Sequence, residues 1–283
     1  MWTILRVLTW TEQRFNERGL GTPRLDAQVL LAHVLQKDRV YLYTHFDQPL
    51  QPPELAAYRA LIQRRLAGEP VAYLVGTKEF RSLELHVDAR VLVPRPDTET
   101  LVDVALALVG DEGRVVDSGT GSGAIALALK HTRPALEVLA VDRSPDAATV
   151  ARANAARLAL AVDVVEGDLL APVVARGPFA LVVSNPPYIP SGDIAALAVE
   201  VRNEPRAALD GGRDGLDLVR RLIVDAPPLL VPGGALALEI GAGQAATVAA
   251  LFAADGRYQP AEVTKDLGGV ERVVAARLKS SSQ

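Results

Sequence analysis

Arg114-Val-Val-Asp117-Ser118-Gly119-Thr120-Gly121-Ser122-Gly123-Ala124 decides the fold. Residues 115–117 read as a short buried strand. Three glycines at alternate positions turn the chain tightly, and an apolar helical run, 124–131, starts at once with its first N–H groups free. Working forward, the pattern repeats. Strands are expected at 137–141, 162–166, 179–184 and 235–240. Helices are expected at 145–158, about 215–226 and 244–255. Strands alternating with helices mean a mostly parallel α/β sheet of the Rossmann-like kind, with right-handed crossovers. The end departs from that pattern: 261–264, a Lys265-Asp-Leu-Gly-Gly269 turn and 270–277 form an antiparallel hairpin, with a frayed tail at 280–283.

Working backward, the period changes. Residues 3–18 place Ile4, Leu5, Leu8 and Phe15 near one face, an amphipathic helix closed by Gly19. Further helices are expected at 26–35, over one or two turns of 39–46, from Pro52-Pro53-Glu54 to Ala67, and from Pro70 to Val75. Residues 1–75 therefore make a small all-helical domain. After Gly76, Phe80-Arg-Ser-Leu-Glu-Leu-His-Val87 alternates and Val91-Leu-Val93 follows a polar turn, so 76–96 reads as a β-hairpin linker. Pro94-Arg95-Pro96 is a stiff joint, Asp97 or Thr98 caps a helix to Val109, and 97–283 is the α/β domain.

Composition narrows the class. At 283 residues and 49% hydrophobic the chain can bury two cores. It has no cysteine, which removes disulfides, thiolate metal sites and Cys nucleophiles. The four histidines, 33, 45, 86 and 131, lack metal-ligand spacing, so no metal is expected. No apolar run is long enough for a membrane span and Met1–Trp10 lacks a signal-type block, so the expectation is a cytoplasmic protein with no membrane partner. The net charge of -4 is not that of a protein living on a phosphate backbone. The first 75 residues, with nine Lys/Arg against seven Asp/Glu, are mildly basic.

The glycine turn admits two nucleotide readings. Gly119-x-Gly121-x-x-Ala124 satisfies the dinucleotide pattern, in which pyrophosphate sits on the helix N-terminus. The same turn suits S-adenosylmethionine. Asp142, ending the next strand, can hold a ribose diol under either reading. Asp117 discriminates: a carboxylate just before the glycines suits an ammonium and repels a pyrophosphate. Asp117, Gly119, Thr120, Gly121, Ser122, Gly123 and Asp142 are thus candidate S-adenosylmethionine residues. Asp168, after the third strand, either accepts from an adenine amine with Leu169 packed on the ring, or is a plain loop aspartate.

The second decisive stretch is Val182-Val-Ser-Asn185-Pro186-Pro187-Tyr188-Ile-Pro190. Two prolines end the strand and stiffen the residues just beyond it. Asn185 and Tyr188 are left at the carboxyl end of a strand, where open α/β sheets keep ligands. A fixed amide beside an aromatic face suits a planar nitrogen, either an amide or an exocyclic base amine. The bland alternative is a strand-ending turn.

Taken together, Asp117-x-Gly-x-Gly-x-Gly, Asp142, Asp168 and Asn185-Pro-Pro-Tyr188 resemble class I S-adenosylmethionine-dependent methyltransferases that modify a planar nitrogen. Phe80-Arg-Ser-Leu, Val91-Leu-Val-Pro-Arg-Pro-Asp-Thr-Glu99, Asn185-Pro-Pro-Tyr-Ile-Pro190, Glu204-Pro-Arg-Ala-Ala-Leu-Asp-Gly-Gly212 and Glu271-Arg-Val-Val are similar to the bacterial protein-(glutamine-N5) methyltransferases of peptide chain release factors. The resemblance spans about 25–277. It implies that Asn185 Oδ1 and the Pro186 carbonyl accept both N–H groups of a substrate amide, with Pro187 and Tyr188 beside it and Tyr188 on the amide plane. It implies as substrate the glutamine of the Gly-Gly-Gln motif of class I release factors, with the helical domain as the clamp. Ser118 stands where a large apolar residue is common in this family, and Leu169 where some members carry an aromatic.

Three other readings stay open on the residues alone. One is a methyltransferase acting on a ribosomal-protein glutamine. A second is an adenine-N6 nucleic-acid methyltransferase, which the acidic balance disfavours. The third is a nicotinamide-type oxidoreductase or a non-catalytic nucleotide-binding module, which Asp117 and Asn185-Pro-Pro-Tyr188 disfavour.

Overall fold

Strand and helix periods sort the chain into two compact units in the computed structural model, which describes residues 1–280. Most of the tail expected at 280–283 lies outside the described residues. The first unit comprises Met1–Thr77 together with Ala198–Asn203, a piece drawn from far along the chain. Its helices are α1 (Ile4–Glu17), α2 (Pro23–Leu35), α3 (Arg39–Thr44), α4 (Pro52–Leu66) and α5 (Val71–Val75). They close over Ile4, Phe15, Leu30, Leu31 and Tyr58, each almost wholly buried. One polar network crosses that core. Arg65, 3% exposed, donates from Nε to Asp26 Oδ2 at 2.8 Å, and its Nη2 pairs with Glu200 of the 198–203 piece. Asn203 adds a bond from Nδ2 to the Gly68 carbonyl at 2.8 Å.

The second unit takes in Lys78–Leu197 and the chain from Glu204 onward. The hairpin of β1 (Thr77–Phe80) and β2 (Leu83–His86) turns at Arg81-Ser82, both left-handed at φ 47 and 62. The expected partner strand at 91–93 does not form. The alternating run folds back on itself instead, at a turn whose residues are unusual for positive φ. Phe80, Leu83 and Leu85 pack into the same apolar layer as the helix beyond the hairpin, α6 (Glu99–Leu108). Neither Asp97 nor Thr98 caps α6 through its side chain.

The expected alternation comes next: β3 (Gly113–Ser118), α7 (Ala124–Thr132), β4 (Leu136–Asp142), α8 (Pro145–Arg157), β5 (Val162–Glu166) and β6 (Phe179–Ser184). After α9 (Val199–Arg202), which belongs to the first unit, come α10 (Asp217–Asp225), β7 (Leu230–Glu239), α11 (Ala245–Asp255), β8 (Glu262–Lys265) and β9 (Glu271–Arg277). The strand order is β5-β4-β3-β6-β7-β9-β8, with β9 antiparallel to both β7 and β8 and the rest parallel. Period two then fills both faces. Val115, Leu181, Val183 and Ala237 face α6 and α7, while Val116, Val182, Leu236 and Leu238 face α10 and α11. Chain order reverses between β3 and β6, so the crevice for a ligand opens at their carboxyl ends. Among the described residues no helix is long and apolar enough to cross a membrane, and no group of His, Asp or Glu is clustered as for a metal.

Candidate active site

The ends of β3, β4 and β6 meet a cleft of about 840 Å³, counting its open mouth. Ser118, Gly119, Gly121, Asp142, Asp168, Leu169, Asn185, Pro186 and Pro187 line it. Apolar walls come from Val91, Leu92, Ala147 and Leu218, and Arg90 and Arg143 stand at the polar side. Asp117, Thr120, Ser122, Gly123 and Tyr188 are not in the lining.

The glycine turn is held from below. Gly119 and Thr120 donate to the Val141 carbonyl at 2.8 and 2.9 Å, folding the loop over the end of β4. Asp142 Oδ2 accepts from Gly121 N at 2.8 Å and Oδ1 from Ser144 N at 2.9 Å. A carboxylate has about four acceptor sites, so Asp142 can still accept from a diol in the cleft. Gly123, at φ +86, starts α7. A Cβ there would press on Leu127 Cδ1 at 3.1 Å and on Ala151, so the glycine permits α7 and α8 to approach.

Asp117 lies beneath the loop, 0% exposed. Its Oδ2 accepts from Thr120 Oγ1 at 2.6 Å and Ala126 N at 3.2 Å, while Oδ1 has no hydrogen-bond partner among the described residues. Burial pushes its pKa up to about 7 against the pull of those two bonds. The neighbouring Ser118 hydroxyl, at the cleft floor, is likewise buried and unpartnered among the described residues. Two orphaned polar atoms under an open cleft fit a polar ligand that completes them. Asp168 is paired through Oδ2 with Arg221 at 2.6 Å, so a base amine would share its carboxylate with a guanidinium. Leu169 sits in the left-handed region at φ 50, a conformation costing on the order of 1 kcal/mol for a side chain of this kind.

Asn185 donates from Nδ2 to Thr98 Oγ1 at 3.2 Å. The backbone after it is clamped by later segments. Ile189 N donates to the Leu209 carbonyl at 3.1 Å, Gly211 N to the Ile189 carbonyl at 2.9 Å, and Gln244 Nε2 to the Tyr188 carbonyl at 3.0 Å. A Cβ on Gly215, at φ +80, would overlap the Tyr188 carbonyl oxygen. The Tyr188 ring rests close against Gly241. The Ser184 hydroxyl donates to the Ser118 carbonyl at 2.6 Å, pinning the ends of β6 and β3 together across the floor.

Sequence reasoning missed several residues that shape this site. Asn154, fully buried on α8, accepts from His86 N at 2.7 Å and donates to the carbonyls of His86 and Ser122 at 3.0 and 2.9 Å. It thereby ties the hairpin to the glycine turn. Thr98, Gln244 and Gly215 gave no signal of their own. Glu239 gave one, an acid closing an otherwise apolar strand. Glu204, buried, accepts from Val93 N at 2.9 Å and pairs with Arg95, which fixes the loop before α6.

Residues 6–76 match the family model of the PrmC N-terminal domain, and residues 96–212 that of the methyltransferase small domain. A release factor glutamine methyltransferase of Geobacter sulfurreducens is 46% identical over 279 residues, 98% of each chain. A crystal structure of a methyltransferase from Pyrococcus furiosus shares the fold at TM-score 0.56 and 21% identity, over 78% of this chain and 98% of that one. The T. thermophilus 16S rRNA N2 G1207 methyltransferase, solved with AdoMet and guanosine, does so at TM-score 0.52 and 19% identity, over 72% and 50%.

Proposed function

The chain belongs to the release factor glutamine methyltransferases, and from that membership we propose that it methylates the side-chain amide nitrogen (N5) of the glutamine in the Gly-Gly-Gln motif of class I release factors. The near-full-length 46% identity to a relative bearing that name carries the reading. It also favours a release factor over the ribosomal-protein and nucleic-acid substrates. S-adenosylmethionine is the methyl donor in this reading, and when bound it supplies an electrophilic methyl group on a sulfonium. The supporting observation is that the glycine turn, Asp142 and Asn185-Pro186 line one cleft. Gly119, Gly121 and Asp142 would hold the donor, Asp168 and Leu169 its base, and Asp117 would offer a carboxylate to its ammonium.

An amide nitrogen is a weak nucleophile because its lone pair is delocalised into the carbonyl. Asn185 Oδ1 and the Pro186 carbonyl would accept hydrogen bonds from its two N–H groups and so fix the orientation of its lone pair in the cleft. Pro187 and Tyr188 flank the amide plane. Rate enhancement is then mostly orientation, whose ceiling is roughly 7–11 kcal/mol. The two oxygens also stabilise the nitrogen as it becomes cationic. It loses its proton to solvent after transfer.

Incubation with methyl-labelled S-adenosylmethionine and purified release factors, ribosomes and DNA tests the reading. Label is expected on the release factor, on glutamine. Label on ribosomal protein or DNA instead would overturn the substrate. In the Asn185→Ala protein transfer should be abolished while donor binding is weakened much less. Activity surviving within a few-fold would remove Asn185 from its role.

A further inference from the structure

β6 and β7 run parallel with Ser184 opposite Leu238, so the next step of the register sets Asn185 beside Glu239. Leu236 and Leu238 turn toward α10 and α11, and Ala235 and Ala237 to the other face. Alternation therefore carries the Glu239 side chain to the α6 side, where Thr98 lies. Glu239 is 1% exposed, and its Oε2 has no hydrogen-bond partner among the described residues. A buried carboxyl oxygen left without a partner costs stability. Arg272 of β9, whose charge acts on Glu239, is already engaged with Asp97 at 3.2 Å and Asp266 at 3.1 Å.

We propose that Glu239 is a positioning residue that sets which way the Asn185 amide faces. This rests on the role given above to Asn185. A hydroxyl can donate or accept, so Thr98 alone cannot choose between the oxygen and the nitrogen of that amide. An ionised carboxylate only accepts. It takes the Thr98 hydrogen, which leaves the Thr98 lone pairs for the Asn185 NH2 and turns Oδ1 toward the acceptor amide. Once protonated, Glu239 carries a donor of its own, the constraint lapses, and the amide can turn over.

Burial holds Glu239 at about 7; Thr98, Arg272 and Asn185 pull it down, and Asp97 pushes it up. Tyr188, raised chiefly by burial and also by Glu239 and Asp97 against the pull of Arg272 and Arg95, is the other titratable group facing it. The rate constant kcat of the wild type should therefore rise with pH through about 7.

Glu239→Gln keeps the shape, donates or accepts, and does not titrate. Its kcat should fall about 10²-fold, as for a misaligned nucleophile, with the Kd for S-adenosylmethionine changed less than about threefold. The rise of kcat with pH should vanish. The side-chain NH2 signals of Asn185, followed by 15N NMR and assigned with Asn185→Ala, should titrate in the wild type and stay flat in Glu239→Gln. A kcat within about threefold of wild type, or Asn185 signals that ignore pH in the wild type, would overturn the proposal. The NMR titration needs no substrate, so an unlabelled release factor would count against the substrate and leave this result standing.

Discussion

Replacing Asn154 by alanine should loosen the second unit and the glycine turn together. The side chain satisfies three backbone groups at once: His86 N–H, the His86 carbonyl and the Ser122 carbonyl. Each buried group left unpaired costs about 1–3 kcal/mol. Ser122 is buried and bears the full penalty, whereas half-buried His86 can recover part of its loss from water. The sum is then roughly 3–5 kcal/mol, which for a domain of this size lowers the melting temperature by on the order of 10 °C. The Ser122 carbonyl belongs to the glycine turn, so donor binding should weaken as well, by about tenfold for each 1.4 kcal/mol passed to the loop. Thermal unfolding and titration calorimetry with S-adenosylmethionine measure the two effects. Asn154→Asp sharpens the test. It keeps the acceptor for His86 N–H but points a negative oxygen at two carbonyls, so it should be at least as damaging as Asn154→Ala. A melting point within about 2 °C of wild type for Asn154→Ala, or an Asp variant milder than the Ala variant, would refute the reasoning.

Gly215→Ala places a methyl group on the Tyr188 carbonyl oxygen at a left-handed position; it should lower kcat about 10²-fold with donor Kd little changed, and wild-type kinetics would sink the clamp. In the first unit, Arg65→Met strands Asp26, which is 4% exposed, and should cost about 3–5 kcal/mol in thermal unfolding. Changing Asp26→Leu alongside it should restore most of that loss, and a single-variant cost under about 1 kcal/mol would contradict the buried pair. Asp117 and Glu239 are both raised to about 7 when folded, above the unfolded values near 4. Between those limits the folded protein keeps protons that the unfolded chain has lost. Their contribution is full below about pH 4 and is lost as pH rises through about 7. Asp117→Asn should flatten that slope, as urea midpoints on the acid and alkaline sides of that window would reveal.

The α/β architecture could be read from the sequence because every strand of the parallel sheet carries an apolar run and every crossover helix has a turn at each end. Both are local patterns. The misplaced hairpin shows where locality fails. Positive φ at Arg81 and Ser82 is imposed by Phe80, Leu83 and Leu85 burying against α6 and α7, and neither residue advertises a turn. The piece 198–203 that joins the helical unit could not be foreseen either, since its ties, Glu200 to Arg65 and Asn203 to Gly68, span 135 residues each.

The site divides in the same way. Asn185, the glycines and Asp142 were legible because prolines and glycines restrict the backbone wherever they occur. The contacts that hold those residues in place were not, because they consist of single side chains meeting across the fold. Thr98 precedes a helix it does not cap, and its hydroxyl serves Asn185 instead. Gln244 precedes α11 and spends its amide on the Gly241 N–H and the Tyr188 carbonyl. Such residues break local rules, a cap without a capping bond or an acid in an apolar strand. Four elements distant in sequence converge on Asn185-Pro186-Pro187-Tyr188: the turn before α6, the 209–215 loop, the end of β7 and the start of α11. Together they fix both the Asn185 amide and the backbone that follows it.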